Sequence, residues 1–286
     1  MKPGAADKDF TRRIQMEENR YAIGRFFSSL PLAVLFILVV VTFTLVVGLG
    51  VFIGHQKFVG NIKVADVPIQ TAVAAVFGLI AFILGFTFSI AWSRFAARYS
   101  LVISHAAAIG VCYLRCSLIT ETQKREVRKL LYEYVNILMK LPGDAHFEKS
   151  IERIEDIHAQ IWEQAASLPA EDIDSEMRSL FVSSVNEMIS LAMGRKTVAL
   201  VYHIPDAIWG SMLFLGFVAM LAFGYQAGTG GVRKFIQLPW LPVAFSLVIV
   251  LISDLDSTNS QRHFKVSRQP FRDLIKMMER DMPSPK

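Results

Sequence analysis

The stretch "FILGFTFSIAWSR" occupies residues 82–94 and determines which class of protein this chain belongs to. It is too apolar for the surface of a soluble domain, it carries glycine and hydroxyl positions, and it ends at an arginine. The uncharged run that contains it covers residues 71–93. A helix of that length crosses about 30 Å of hydrocarbon at about 1.5 Å per residue. The stretch therefore predicts a membrane-spanning helix.

Three further uncharged runs predict four crossings in total. They cover residues 30–53, 207–225 and 238–253. The first begins too late and is too long for a cleavable signal peptide, so it stays in the protein. The last is short and opens with Pro239 and Pro242, which a first helical turn tolerates. Because it follows the third run after a short loop, we interpret it as the return crossing of a hairpin. The composition agrees, with 53% hydrophobic and only 19% charged residues.

The distribution of basic residues predicts the orientation. Only four of the 30 lysines and arginines lie in the loops inside the two hairpins. They are Lys57, Lys63, Arg233 and Lys234. The positive-inside rule then places both termini and residues 94–206 in the cytoplasm, as in a multi-pass protein of the inner (plasma) membrane. Anionic lipid explains the net charge of +5, so no nucleic-acid partner is predicted.

The cytoplasmic part also has helical patterning. Its apolar residues recur at helical spacing from Arg94 onward, and Thr120 with Gln123 forms a capping box. The predicted fold is an all-α integral membrane protein with four transmembrane helices and a helical cytoplasmic insertion between the second and third. Its segments are a cytoplasmic N-terminal segment (1–29), a first transmembrane hairpin (30–93), a cytoplasmic helical domain (94–206), a second transmembrane hairpin (207–253) and a cytoplasmic C-terminal tail (254–286).

Signals of catalysis are missing from the sequence. It contains no Gly-rich phosphate loop, no HExxH and no G-x-S-x-G, and no crossing contains the carboxylates that proton relays use. We therefore predict that the chain is not an enzyme and holds no cofactor. Cys112 and Cys116 share a helix face with His105 upstream, but a zinc site needs a further ligand. We interpret both cysteines as buried structural thiols.

The second crossing carries a distinct stripe of residues. Gly78, Phe82, Phe86, Ser89 and Ser93 recur every three or four positions and so share one helix face. Two interpretations remain open. Small and hydroxyl residues commonly line close helix–helix contacts. Alternatively, copies around a symmetry axis would bring the phenylalanine rings together in a hydrophobic constriction, with the serines lining the wider cytoplasmic end.

The same stretch resembles the second membrane helix of bestrophins, where a Phe-x-Leu-Gly-Phe run also ends at an arginine followed by an aromatic residue. Other stretches resemble a bacterial bestrophin-like membrane family. These are "AIGVCYLR" (108–115), "NEMI" with a downstream arginine (186–195), "HIPDAIW" (203–209), "DLD" (254–256) and "VSRQPFRDL" (266–274). The resemblance implies a pentameric chloride channel with Phe82 and Phe86 in its hydrophobic neck. Gly78 departs from it, because bestrophins place a bulkier apolar residue there.

The residues after the last crossing also depart from the family. Eukaryotic bestrophins carry a dense acidic run there that binds calcium, whereas this chain has only Asp254 and Asp256. Calcium takes six to eight oxygen ligands, so two carboxylates would hold it only weakly. Alternatively, Asp254 caps the hairpin end or pairs with Arg94 or Arg98. We predict that Arg94, Arg98, Asp254 and Asp256 lie at the inner mouth of the pore. There the arginines would favour anions, whereas Asp254 would favour cations.

These observations predict a homo-oligomeric, passive anion channel surrounded by lipid. Phe82 and Phe86, with Gly78, would form the neck, and Ser89 and Ser93 would line the pore below it. The competing hypothesis is a non-conducting membrane scaffold whose cytoplasmic helices bind a partner protein.

Overall fold

The computed structural model describes residues 21–59, 66–141, 147–168, 174–201, 204–229, 239–257 and 264–281, and every regular element within these ranges is helical. The outer-loop residues Lys63, Arg233 and Lys234 lie outside the described residues. The helices are α1 (Ala22–Ser29), α2 (Leu32–Val59), α3 (Asp66–Arg115), α4 (Glu121–Lys140), α5 (Phe147–Ser167), α6 (Ser175–Val201), α7 (Asp206–Thr229), α8 (Trp240–Asp256) and α9 (Gln269–Asp281). A short 3-10 turn, Cys116–Leu118, follows α3.

Within the described ranges, three helices are long and apolar enough to cross a membrane. The candidate segments are Leu32–Gln56 in α2, Gln70–Leu118 beginning in α3, and Asp206–Thr229 in α7. They overlap the first three predicted crossings, and the second extends well beyond the predicted 71–93. The fourth predicted crossing forms α8, which is also helical but only 17 residues long.

Helix α3 continues without a break well past the predicted crossing. It contains 50 residues, which corresponds to a length of about 75 Å at 1.5 Å per residue. The only proline in it is Pro68, in the first turn, where the missing N–H has no helical partner to lose. The prediction that the helix continues beyond Arg94 is therefore confirmed.

The chain forms two compact units. The first comprises Met1–Phe95 and His203–Phe264, and the second comprises Ala96–Tyr202 and Lys265–Lys286. In the first unit α2 packs along α7 and also contacts α8. Its core consists of buried side chains from these helices and from α3, among them Phe43, Ile80, Trp209, Met212 and Ile252.

Four glycines allow α2 and α7 to approach closely. They are Gly50 and Gly54 on α2, and Gly224 and Gly228 on α7. A Cβ atom on any of them would overlap a backbone carbonyl oxygen of the facing helix. Small residues at i and i+4 on both partners are the usual means of bringing two membrane helices into backbone contact. Helices α2 and α7 are thus held together by backbone proximity as well as by side-chain packing.

The second unit is built around α4. The Thr120 side chain accepts the N–H of Gln123 at 3.5 Å, which confirms Thr120 as the N-cap residue, and the Gln123 side chain accepts the Thr120 hydroxyl at 3.0 Å. The apolar residues that recur at helical spacing along α4 face the core, and Val127, Leu131 and Tyr134 are fully buried. Helix α9, within the segment predicted as a C-terminal tail, packs against α4. Cys112 and Cys116 are free thiols with no exposed surface, as predicted.

Candidate functional site

The predicted stripe on α3 lies on the exposed face of the protomer. Gly78, Ser89 and Ser93 are exposed, and the side chains of Phe82 and Phe86 are 71% and 59% exposed. A Cβ atom built on Gly78 would have no described atom within 4 Å. Among the residues that the structure describes, no helix of the same protomer packs over the stripe.

The opposite face of α3 is packed and fixes how the helix is rotated. Ile80, Leu84 and Ala91 are buried in the core of the first unit. The Phe77 ring lies edge-on to Phe223 and Phe245, with ring centroids 6.1 and 5.9 Å apart. Because these contacts hold α3 in one rotational position, the exposure of Phe82 and Phe86 is a property of the fold.

The exposed face continues along α3 beyond the predicted crossing. Its later members are all exposed and uncharged: Ala96, Ser100, Ile103, Ala107, Val111 and Leu114. From position 78 to position 114 the steps are three or four residues, the period of an α-helix. The face predicted from the sequence ends at Ser93, although uncharged residues recur at helical spacing up to Leu114. We call the whole set, from Gly78 through Phe82, Phe86, Ser89 and Ser93 to Leu114, the α3 stripe.

The four residues predicted at an inner mouth are largely enclosed. Arg94 is half-buried, and its Nη1 atom is buried without a hydrogen-bond partner among the described residues. Arg98 is 8% exposed, and Asp254 and Asp256 are 4% and 3% exposed. Asp256 accepts the backbone N–H of Ile204 at 3.0 Å. In the part of the chain that the structure describes, these four side chains are therefore not fully exposed charges on the surface of the protomer.

A carboxylate that sequence reasoning did not single out anchors the N-terminal helix. Asp206, the first residue of α7, accepts the backbone N–H groups of Ala22 and Ile23 at 2.7 and 2.9 Å. Both donors lie at the start of α1, where N–H groups lack helical partners and a negative charge is favoured. The signal in the sequence was an aspartate directly after Pro205, at a helix start.

The described residues contain no cluster of three or more His, Cys, Asp or Glu side chains suited to a metal ion. Residues 258–263, directly after the two aspartates considered for calcium, are outside that part of the chain. Weak calcium binding at Asp254 and Asp256 therefore stays a prediction.

A buried polar cluster joins the helices of the second unit. His105 Nε2 lies 3.0 Å from the Tyr134 hydroxyl, and Arg195 Nη1 lies 2.8 Å from His105 Nδ1. Since a guanidinium only donates, Nδ1 accepts and the ring proton is on Nε2. The Arg195 guanidinium also stacks over the Phe271 ring at 5.1 Å. Burial lowers the pKa of Arg195 and of nearby His158, and raises the pKa of the Tyr134 hydroxyl.

Several stretches that suggested a family resemblance meet in these contacts. Ile204, in "HIPDAIW", donates to Asp256, in "DLD". Arg195, downstream of "NEMI", lies over Phe271 of "VSRQPFRDL". The matching residues therefore include contact points that hold each unit together.

Comparisons with a family model and with solved structures both indicate a bestrophin-like protein. A family model described as a bestrophin-like domain matches residues 38–257. Among solved structures, a variant of a bacterial bestrophin homologue from Klebsiella pneumoniae aligns with a TM-score of 0.61 at 16% identity, covering 86% of this chain and 97% of that chain. A second variant of that homologue aligns with a TM-score of 0.59 at 16% identity, covering 86% and 98%.

A further solved structure, described only as a membrane protein, has a TM-score of 0.61 at 15% identity and covers 87% of this chain and 99% of that chain. At these identities the structural likeness establishes a shared fold. Among curated proteins, none matches this chain.

Proposed function

This chain belongs to the bestrophin-like family, as its sequence predicted, and from that premise we propose that it forms an oligomeric, passive ion channel. The α3 stripe would line the pore, and inorganic anions such as chloride would pass through it. The family and its fold support conduction in general. The particular pore and its selectivity are our inference from the exposed residues of α3.

The observation that supports this proposal best is the length of the α3 stripe. Positions 78 to 114 extend about 54 Å along the helix, whereas the hydrocarbon of a bilayer is about 30 Å thick. Lipid can cover only part of such a face. The remainder still exposes apolar side chains, including Ile103, Val111 and Leu114. Copies of the same chain around a symmetry axis would enclose this face over its whole length.

Within such an assembly Phe82 and Phe86 would form the narrow part. Rings of phenylalanine make a short apolar constriction that closes when water leaves it, without any moving plug. Ser89 and Ser93 lie one and two turns further along the same face and would provide a wider, hydroxyl-lined section. Gly78 has no side chain to narrow the opposite end.

The proposed preference for anions depends on charge near the α3 stripe. The stripe contains no carboxylate, and Arg94 directly follows Ser93 with an Nη1 donor that has no described partner. A cation beside a low-dielectric passage raises the local concentration of anions. In this proposal Asp256 accepts a backbone N–H and does not select ions. Conduction requires no cofactor.

The proposed topology has four crossings, with both termini and the second unit in the cytoplasm. Helix α8, at 17 residues, is about 26 Å long and is therefore slightly shorter than the hydrocarbon. It contacts α2, so it can complete the bundle as the return of α7. The small number of basic residues in the loops within the hairpins supports an inner-membrane protein of this orientation.

Chloride efflux from liposomes tests the proposed pore. We expect the purified protein to release chloride, and Phe82→Ala combined with Phe86→Ala to increase the leak severalfold, because the apolar constriction is removed. Phe77→Ala is the matched control, since it removes a ring from the same helix that packs inside the protomer. It should reduce thermal stability without raising the leak.

The same measurement separates the channel from the scaffold hypothesis. If folded, oligomeric protein releases no chloride in either the wild type or the double variant, the membrane helices only anchor the chain. If Phe77→Ala raises the leak as much as the double variant does, the constriction is not at Phe82 and Phe86.

A further inference from the structure

A surface cleft in the second unit has the size of a small-molecule site. Its volume is about 730 Å³, and it lies between the end of α3, the 3-10 turn, α4 and α9. Sites for small ligands commonly measure about 300–1,000 Å³. Three cationic side chains and two carboxylates line it, namely Arg128, Lys276, Arg280, Asp273 and Asp281.

Arg128 is held in place inside this cleft. Its side chain is only 18% exposed, its Nη1 lies 2.6 Å from the Asp281 carboxylate, and its Nη2 donates to Ser117 Oγ at 3.2 Å. The guanidinium also stacks over the Tyr113 ring at 4.6 Å. A cation fixed in this way loses little conformational entropy when it binds an anion.

Lys276 and Arg280 add two exposed cations. They are four residues apart on α9, so they share a helix face, and both are exposed. Neither makes an ion pair with another described residue. Both line the same cleft as Arg128, which brings three positive charges around one volume.

We propose that this cleft binds a small molecule that carries a phosphate or diphosphate group. Several acceptor oxygens on one anion match the planar fork of Arg128 and the flexible ends of Lys276 and Arg280. The Asp281 carboxylate contacts Arg128 and would compete with the ligand for this guanidinium. The phosphate can belong to a soluble compound or to the headgroup of a phospholipid.

The test measures pyrophosphate binding to the full chain in nanodiscs of neutral phosphatidylcholine, by calorimetry at constant ionic strength. We expect saturable binding to the wild type. Lys276→Gln with Arg280→Gln should weaken it by at least about tenfold, because two charge-assisted contacts are lost. Both side chains are exposed, so thermal unfolding should not change.

Two further variants make the assignment specific. Asp281→Asn should bind pyrophosphate more tightly, because the competing carboxylate is gone and Arg128 is released. Arg272→Gln is the matched control, since Arg272 is exposed on α9 but does not line the cleft, and its affinity should equal that of the wild type. Absence of binding to folded wild type, or equal loss in Arg272→Gln, overturns the proposal.

The lipid composition identifies the source of the phosphate. Nanodiscs that contain phosphatidic acid should weaken pyrophosphate binding if the headgroup occupies the cleft. Unchanged affinity in those nanodiscs assigns the site to a soluble phosphate compound. The measurement does not depend on conduction, so its result stands apart from that of the chloride assay.

Discussion

At the scale of single residues, the buried carboxylate of Asp256 accepts a hydrogen bond from a backbone N–H group. Asp256 is 3% exposed and accepts the N–H of Ile204, which is itself fully buried. Replacing Asp256 with alanine leaves that N–H without its acceptor, and a buried unsatisfied donor costs about 1–3 kcal/mol. We therefore expect Asp256→Ala to lower the free energy of unfolding in detergent by that amount. Glu152→Ala, an exposed carboxylate on α5, serves as the control and should change it by less than about 0.5 kcal/mol. Equal effects of the two variants would show that the Ile204 contact contributes nothing.

Sequence patterns predicted the helix face of a residue where local spacing alone determines it. Helical periodicity alone placed Phe82 and Phe86 on one face, and both are exposed there. The partners of Asp206 and Asp256 were not predictable in the same way. Asp206 binds a residue 184 positions away and Asp256 one 52 positions away. Contacts between residues so far apart in the sequence depend on how the helices pack. The presence of an aspartate in the sequence does not indicate whether its carboxylate will contact solvent, an ion or a backbone N–H.

At the scale of helices, the contact between α2 and α7 makes a sharp prediction about two neighbouring glycines. A Cβ on Gly50 would overlap the backbone of Leu221, whereas a Cβ on Gly48 would meet nothing within 4 Å. Both glycines lie in α2, so both substitutions bring the same gain in helix propensity. Gly50→Ala should destabilise the protein by about 1–3 kcal/mol through overpacking. Gly48→Ala should be neutral or stabilising by up to about 1 kcal/mol. Thermal unfolding of both variants in detergent would check this order, and the reverse order would contradict the close approach.

Helix boundaries followed from sequence where a chemical signal marks them. The Thr120 cap and the length of α3 are examples, since capping residues and the absence of proline act locally. The pairing of glycine faces between α2 and α7 was not predicted, although Gly50, Gly54, Gly224 and Gly228 show the spacing. Spacing identifies a small-residue face, but the partner helix follows only from the packed bundle.

At the scale of the whole molecule, the proposed channel requires several copies of the chain. Ala107 lies on the α3 stripe beyond the predicted crossing and is exposed, and the surrounding stripe is uncharged. Under cyclic symmetry, a substitution on this face appears once in every copy near the axis. Ala107→Glu would therefore bring several like charges together in an apolar setting, where their repulsion is poorly screened. We expect this variant to lower the mass of the detergent-solubilised complex.

The control is Ala159→Glu, which makes the same change at an exposed alanine of α5, a helix that does not contribute to the α3 stripe. The wild type and Ala159→Glu should have the same protein mass, a multiple of 32.1 kDa after subtraction of detergent. A wild-type mass of one chain would exclude a central pore, because a single protomer leaves the α3 stripe open on its surface. An unchanged mass for Ala107→Glu would place that part of the stripe away from the contacts between copies. A lower mass for Ala107→Glu alone would show that the α3 stripe contributes to the contacts between copies, and the proposed channel requires those contacts.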